Sequence, residues 1–162
     1  MIRFHLAFPV HDLDAAERFY VEGLGCTRGR RSEGSLILNF FGHQIVAHRV
    51  DAPPAPPRSI YPRHFGLVFD EAAAYERLVE RIQARGIPFY RGPGRRFVGQ
   101  PMEHRHFFLE DPSHNLLEFK YYERFEAVFG MADDPRVGDA SDAQGSASGP
   151  AARTHSNGAR PR

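Results

Sequence analysis

The sequence of 162 residues has one cysteine, almost no net charge and no long apolar run. A single thiol, Cys26, excludes a disulfide framework and any cluster of cysteine metal ligands, and it fits a reducing compartment. Twenty-one basic residues against 20 acidic ones leave a formal charge of +1. That balance gives no electrostatic footprint for nucleic acid or for an anionic membrane. No stretch approaches the roughly 20 apolar residues that span a bilayer, and the opening MIRFHLAFPVHDLD lacks the apolar h-region of a signal peptide. The expectation is a cytoplasmic protein that handles a small molecule, with no nucleic-acid and no membrane partner.

Aromatics are missing from one part of the chain only. All 20 Phe and Tyr precede residue 131. Residues 131–162 are mostly Ala, Gly, Ser and Pro and cannot bury enough apolar surface to offset their ordering entropy, which predicts a disordered tail. Residues 1–130 then form one domain. APPAPPR at 52–58 holds four prolines in seven residues and reads as a stiff connector between modules of about 1–51 and 59–125.

The two modules share a grammar. FHLAFPV suits a buried strand. Asp12 or Asp14 can cap a helix with Ala16, Phe19, Tyr20 and Leu24 on one stripe, ended by Gly25. A basic stretch (TRGRRSEGS), LILNFF and IVAHRV follow, giving β-α-β-β-β. Downstream, RHFGLVF is a strand and Asp70 can cap a helix with Tyr75, Leu78, Val79 and Ile82 inward, stopped at Gly86. FYRGP, HFFLED and NLLEFKYY supply three more strands. His5-Leu6-Ala7 aligns with His64-Phe65-Gly66, and residues 42–47 with 113–118, so that Ala47 matches Glu118. A repeat of this kind marks two copies of one unit that cannot bury its sheet alone.

Three polar residues interrupt apolar strands: His5, His64 and Glu118. A buried carboxylate is costly unless paired or metal-bound. Two His and one carboxylate with open coordination positions suit divalent iron, and strand alternation turns the three inward. The small Ala7 and Gly66 beside them would leave room for a ligand. The plain alternative makes each an ordinary hydrogen-bonded strand residue; the matching places of His5 and His64 in the two modules weigh against it.

FHLAFPVHDLDAAERFYVEGLGC and HFFLEDPSHNLLEFKYY resemble the vicinal oxygen chelate superfamily of glyoxalases, bleomycin- and fosfomycin-resistance proteins and extradiol dioxygenases. NFFGHQIVAH and LLEFK are similar to its small extradiol-dioxygenase-like group, and the likeness covers about residues 2–125. It implies an α+β fold of two paired βαβββ modules forming a half-open barrel around a metal cavity. The metal ligands it implies are His5, His64 and Glu118. Ala47 stands at the fourth position and cannot bind, and His48 would reach the site only through a bulge. The implied metal is Fe(II), with Mn(II), Ni(II) or Zn(II) as alternatives. The implied reaction is oxidation of a catechol-like, oxygen-chelating substrate by dioxygen. His104 and His106, just before the FFLED strand, are candidates for acid–base catalysis; their plain alternative is an exposed loop pair. Rival readings are a metal-dependent lyase, isomerase or transferase, and a metal-free ligand-sequestering resistance protein. The resemblance allows a homodimer.

Overall fold

The computed structural model describes residues 2–138. The strand and helix order is β1 (His5–Val10), α1 (Leu13–Glu17), β2 (Thr27–Arg31), β3 (Ser35–Phe40), β4 (His43–Arg49), β5 (Phe65–Phe69), α2 (Ala72–Ala84), β6 (Phe89–Arg96), β7 (His104–Glu110) and β8 (Leu116–Tyr122). These form two four-stranded sheets of identical layout, β1-β4-β3-β2 and β5-β8-β7-β6. In each, the first strand runs parallel to the last and the other pairings are antiparallel. The fold is therefore two βαβββ modules whose unclosed sheets make a half-open barrel.

Local chemistry explains the helices. The Asp12 carboxylate accepts from the backbone N–H groups of Asp14 and Ala15, satisfying two of the donors a helix start leaves free. α1 then widens into a π-helical turn at Arg18–Gly23. Gly25 follows with φ +88°, backbone that glycine adopts without strain. In the second module the cap residue is Glu71, with no side-chain bond, and Asp70 is not the cap. Asp70 lies one residue too early, because the first helical residue is Ala72. The basic stretch forms β2, exposed along its whole length. It is held at one end by Arg31, which is paired to Asp14 and Glu17.

One continuous apolar core unites the modules on the helix-facing sides of both sheets. It includes Phe8, Val10, Leu36, Leu38 and Phe40 from the first and Tyr75, Ile82, Phe107 and Phe119 from the second. Phe40 meets both Phe65 and Phe119 across the junction, with ring centroids 6.3 and 6.0 Å apart. Arg81 on α2 donates to the carbonyl oxygens of Gly23 and Glu22 at the end of the π-helical turn. Burying this core against both helices leaves the opposite face of each sheet to build a site.

Of the tail expected from residue 131, residues 139–162 lie outside the described residues. Residues 125–138 follow β8 as a strap. It starts with a 3₁₀ turn at Phe125–Val128 and ends with Gly138 beside the Tyr61 hydroxyl.

Candidate functional site

Alternation along the strands of the second sheet sends Leu116, Glu118, Lys120 and Tyr122 to the face away from the core. Register places His104 opposite Tyr122, His106 opposite Lys120 and Phe108 opposite Glu118. Arg96 pairs with His104 on the next strand. Glu118, His104, His106 and Arg96 are all buried, so this face is densely polar yet shielded from water. Part of the cover is the segment after the proline connector: Ile60 and Tyr61 pack on Phe108 and Leu116.

His64 lies one residue before β5. Its Nδ1 is 2.7 Å from the Ile60 carbonyl oxygen. A carbonyl can only accept, so Nδ1 carries the proton and Nε2 points at Glu118, with Oε2 3.0 Å away. Lys120 Nζ reaches the same oxygen at 2.9 Å. Burial opposes ionisation of Glu118, but the His64 and Lys120 contacts override it and hold the carboxyl at about 2. The hydrogen bond to Glu118 raises His64 in turn. The other oxygen, Glu118 Oε1, is buried with no hydrogen-bond partner. An unmatched carboxylate oxygen of this kind is unfavourable in a closed fold and supplies a free electron pair for a ligand.

His104 and His106 are not loop residues. β7 begins at His104, two residues earlier than the apolar run suggests, because backbone pairing with β6 and β8 continues through both histidines. His104 Nδ1 donates to the Met102 carbonyl at 2.9 Å, which leaves the lone pair on Nε2; that atom and His106 Nδ1 are buried without partners. Burial lowers both rings, His106 to about 4 with Arg96 adding to the effect. Both are neutral at pH 7. Arg96 likewise belongs to β6, although the glycines of GPGRRFVGQP suggest a loop.

Gly66 is small for a reason other than ligand space. A Cβ built there would sit 1.6 Å from the backbone oxygen of Glu118. The residue is glycine because β5 and β8 approach too closely for any side chain, which also fixes Glu118 relative to His64.

His5 stands elsewhere. It is on the exposed face of β1 with Nδ1 2.8 Å from Gln44 Oε1. Among the described residues of one chain, no three His, Cys, Asp or Glu side chains come together as a metal site. Sheet pairing also corrects the fourth position. Ala7 pairs with Val46 as Gly66 pairs with Glu118, so the counterpart of Glu118 is Val46. Ala47 is one residue out of step and packs into the core; a one-residue slip exchanges sheet faces. Val46 offers no donor atom either. His48 shares the face of Val46 without a bulge, in continuous register with β3, and contacts Ser35 Oγ at 2.9 Å. Cys26 is buried, and burial pushes its thiol up to about 12, which makes it unreactive.

The family model for the glyoxalase/bleomycin resistance protein/dioxygenase superfamily matches residues 3–119. The chain belongs to that superfamily. A glyoxalase/bleomycin resistance protein/dioxygenase from Alicyclobacillus acidocaldarius is 47% identical, with a TM-score of 0.75 over 79% of this chain and 96% of that one. A lactoylglutathione lyase from Agrobacterium tumefaciens shares the fold at 21% identity and a TM-score of 0.58, covering 81% and 97%. A fosfomycin resistance protein from Listeria monocytogenes does so at 18% identity and 0.58, covering 78% and 99%. Proteins of this superfamily commonly use a divalent metal. His64 and Glu118 fit one: an imidazole oriented through its Nδ1–H to a carbonyl is the usual support of a metal-ligating Nε2, and Glu118 Oε1 is an unclaimed donor. Among the described residues, no membrane-length apolar helix is present.

Proposed function

We propose that this superfamily member is a metal-dependent oxidoreductase of the extradiol-dioxygenase type, with His64 and Glu118 of one copy and His5 of a second copy as the ligand set. The observation that carries it is the buried, unpartnered Glu118 Oε1 beside an oriented His64. The exposed place of His5 suits a residue completed by a neighbouring copy. When bound, Fe(II) at such a set would supply coordination positions for the two vicinal oxygens of a catechol and for dioxygen.

The chain's own residues supply the rest. Neutral His104, with its lone pair fixed on Nε2, can accept a proton from a substrate hydroxyl. His106 stays uncharged beside it and adds no repulsion to Arg96 or Lys120. Ile60, Tyr61 and Phe108 exclude water and strengthen each polar contact around Glu118.

The test joins metal analysis to subunit mixing. Wild-type protein loaded anaerobically with Fe(II) should hold one metal per His64–Glu118 pair and take up oxygen with catechols. His5→Ala and Glu118→Ala should each lose tight metal. Co-refolded with each other, they should recover about half the sites wherever mixed dimers form. No recovery would refute the shared site. Stoichiometric metal without oxygen uptake across a catechol panel would refute the dioxygenase reaction and leave a Lewis-acid lyase, isomerase or transferase.

A further inference from the structure

β1 and β5 are each the end strand of their sheet. They meet where the modules join, with the Phe8 and Phe65 ring centroids 5.3 Å apart. Between these strands and the proline connector with the residues after it lies a crevice of about 600 Å³. Leu6, Phe8, Phe65 and Leu116 give it an apolar wall, and the connector side brings Arg58 and Arg63 to its lining. Among the described residues that line it there is no Asp or Glu. His64 and His114 also touch it, but they already hold the carboxylates of Glu118 and Glu110. Arg58 and Arg63 are exposed, and neither guanidinium has an ion pair or hydrogen bond with a described residue. The backbone between them is pinned. Ile60 is buried, Ser59 Oγ accepts from the Tyr61 N–H and donates to the Tyr61 carbonyl oxygen, and the Ile60 carbonyl receives His64 Nδ1–H.

We propose that this crevice binds a small aromatic carboxylate, its rings against Leu6, Phe8 and Phe65 and its carboxylate received by Arg58 and Arg63. An apolar cleft of this size with a few placed polar groups is the usual form of a small-molecule site. The Phe8 and Phe65 rings favour an aromatic body, which they can meet edge-on or offset. A guanidinium offers a planar fork of donors that matches two carboxylate oxygens. Two such forks with no acidic neighbour on the lining select an anion over its neutral amide. The pinned connector holds both arginines near the mouth before the ligand arrives, which lowers the ordering cost of binding. The site needs neither a metal nor a second copy, so it goes beyond the reaction proposed above.

Equilibrium dialysis of metal-free full-length protein with 2-naphthoate and with 2-naphthamide, read by naphthyl absorbance, tests it. At low ionic strength the acid should bind about fivefold more tightly than the amide or better, a modest factor because the arginines are exposed, and added salt should narrow the gap. Arg58→Gln/Arg63→Gln should remove the preference and leave amide affinity unchanged. Arg30→Gln/Arg77→Gln takes the same charge from exposed arginines outside the crevice and should keep the preference. All four residues are exposed, so the variants should fold as the wild type does. Binding of neither compound, a preference below about twofold in the wild-type protein, retention of the preference in Arg58→Gln/Arg63→Gln, or its loss in Arg30→Gln/Arg77→Gln would overturn it. Failure of the metal site in the mixing experiment leaves these outcomes unchanged.

Discussion

The Tyr20 hydroxyl donates to Asp111 Oδ2 across 3.0 Å of buried space, tying the π-helical turn of the first module to the β7–β8 turn of the second. Asp111 also accepts from the backbone N–H groups of Ser113 and Asn115 and from the Asn115 amide, and Asn115 in turn donates to the Pro9 carbonyl. A single carboxylate therefore organises a turn and couples both modules. Tyr20→Phe should cost about 1–2 kcal/mol, read by urea denaturation. Asp111→Ala should cost more, because several buried donors lose their acceptor together. Equal losses would argue against Asp111 as the hub.

Gly66→Ala is expected to be severe. The added methyl collides with the Glu118 backbone, which cannot yield without breaking the β5–β8 pairing. A loss of about 3 kcal/mol or more is expected, or failure to fold. Ala7→Gly, on the exposed face at the matching place in the first module, should change stability by less than about 1 kcal/mol. Thermal melts of the pair make the comparison.

His106 should titrate far below an ordinary histidine. Burial is the main cause, and Arg96, His104 and Arg91 add to it against the opposing pull of Glu118. Between its usual 6.5 and about 4, the unfolded chain takes up a proton that the folded chain refuses. This group therefore weakens folding as pH falls through that window. Ring-proton NMR should show His106 unprotonated at pH 5.5, and His106→Gln should flatten the acid limb of the stability profile. A midpoint near 6.5 would show that the ring is solvated.

The modules and their strand order were legible in the residues because the repeat, the helix stripes and the apolar runs all agreed. Tyr75, Leu78 and Ile82 do face the core. Pattern reading stopped short where backbone pairing, not side-chain polarity, extends a strand: β7 runs back through two histidines, and β6 runs across glycines and a proline into Arg96. Residue pattern also puts Ala47 in the place that Val46 holds, since a one-residue slip shows only in the hydrogen-bond register. Gly66 looked like space for a ligand because the strand that crowds it is 52 positions further along, at Glu118. The neutral, unpartnered state of His104 and His106 has no sequence signature, since it arises from the strap and from neighbours on three strands.

The exposed, arginine-rich β2 has a further consequence. It is an outer strand of its sheet, with backbone groups on one side open to pairing with a foreign strand. Arg28 and Arg31 are paired to Glu17 and Asp14, but a register shift between Arg28 and Arg31 makes that margin irregular and the exposed Arg30 adds a charge to it, both of which discourage pairing with a foreign strand. The margin formed by β6 is blunted by Pro93 and by register shifts between Phe89 and Gly94. A duplicated sheet doubles the number of sticky margins, and in this chain both of these are irregular. Such margins make an open half-barrel a poorer template for strand addition.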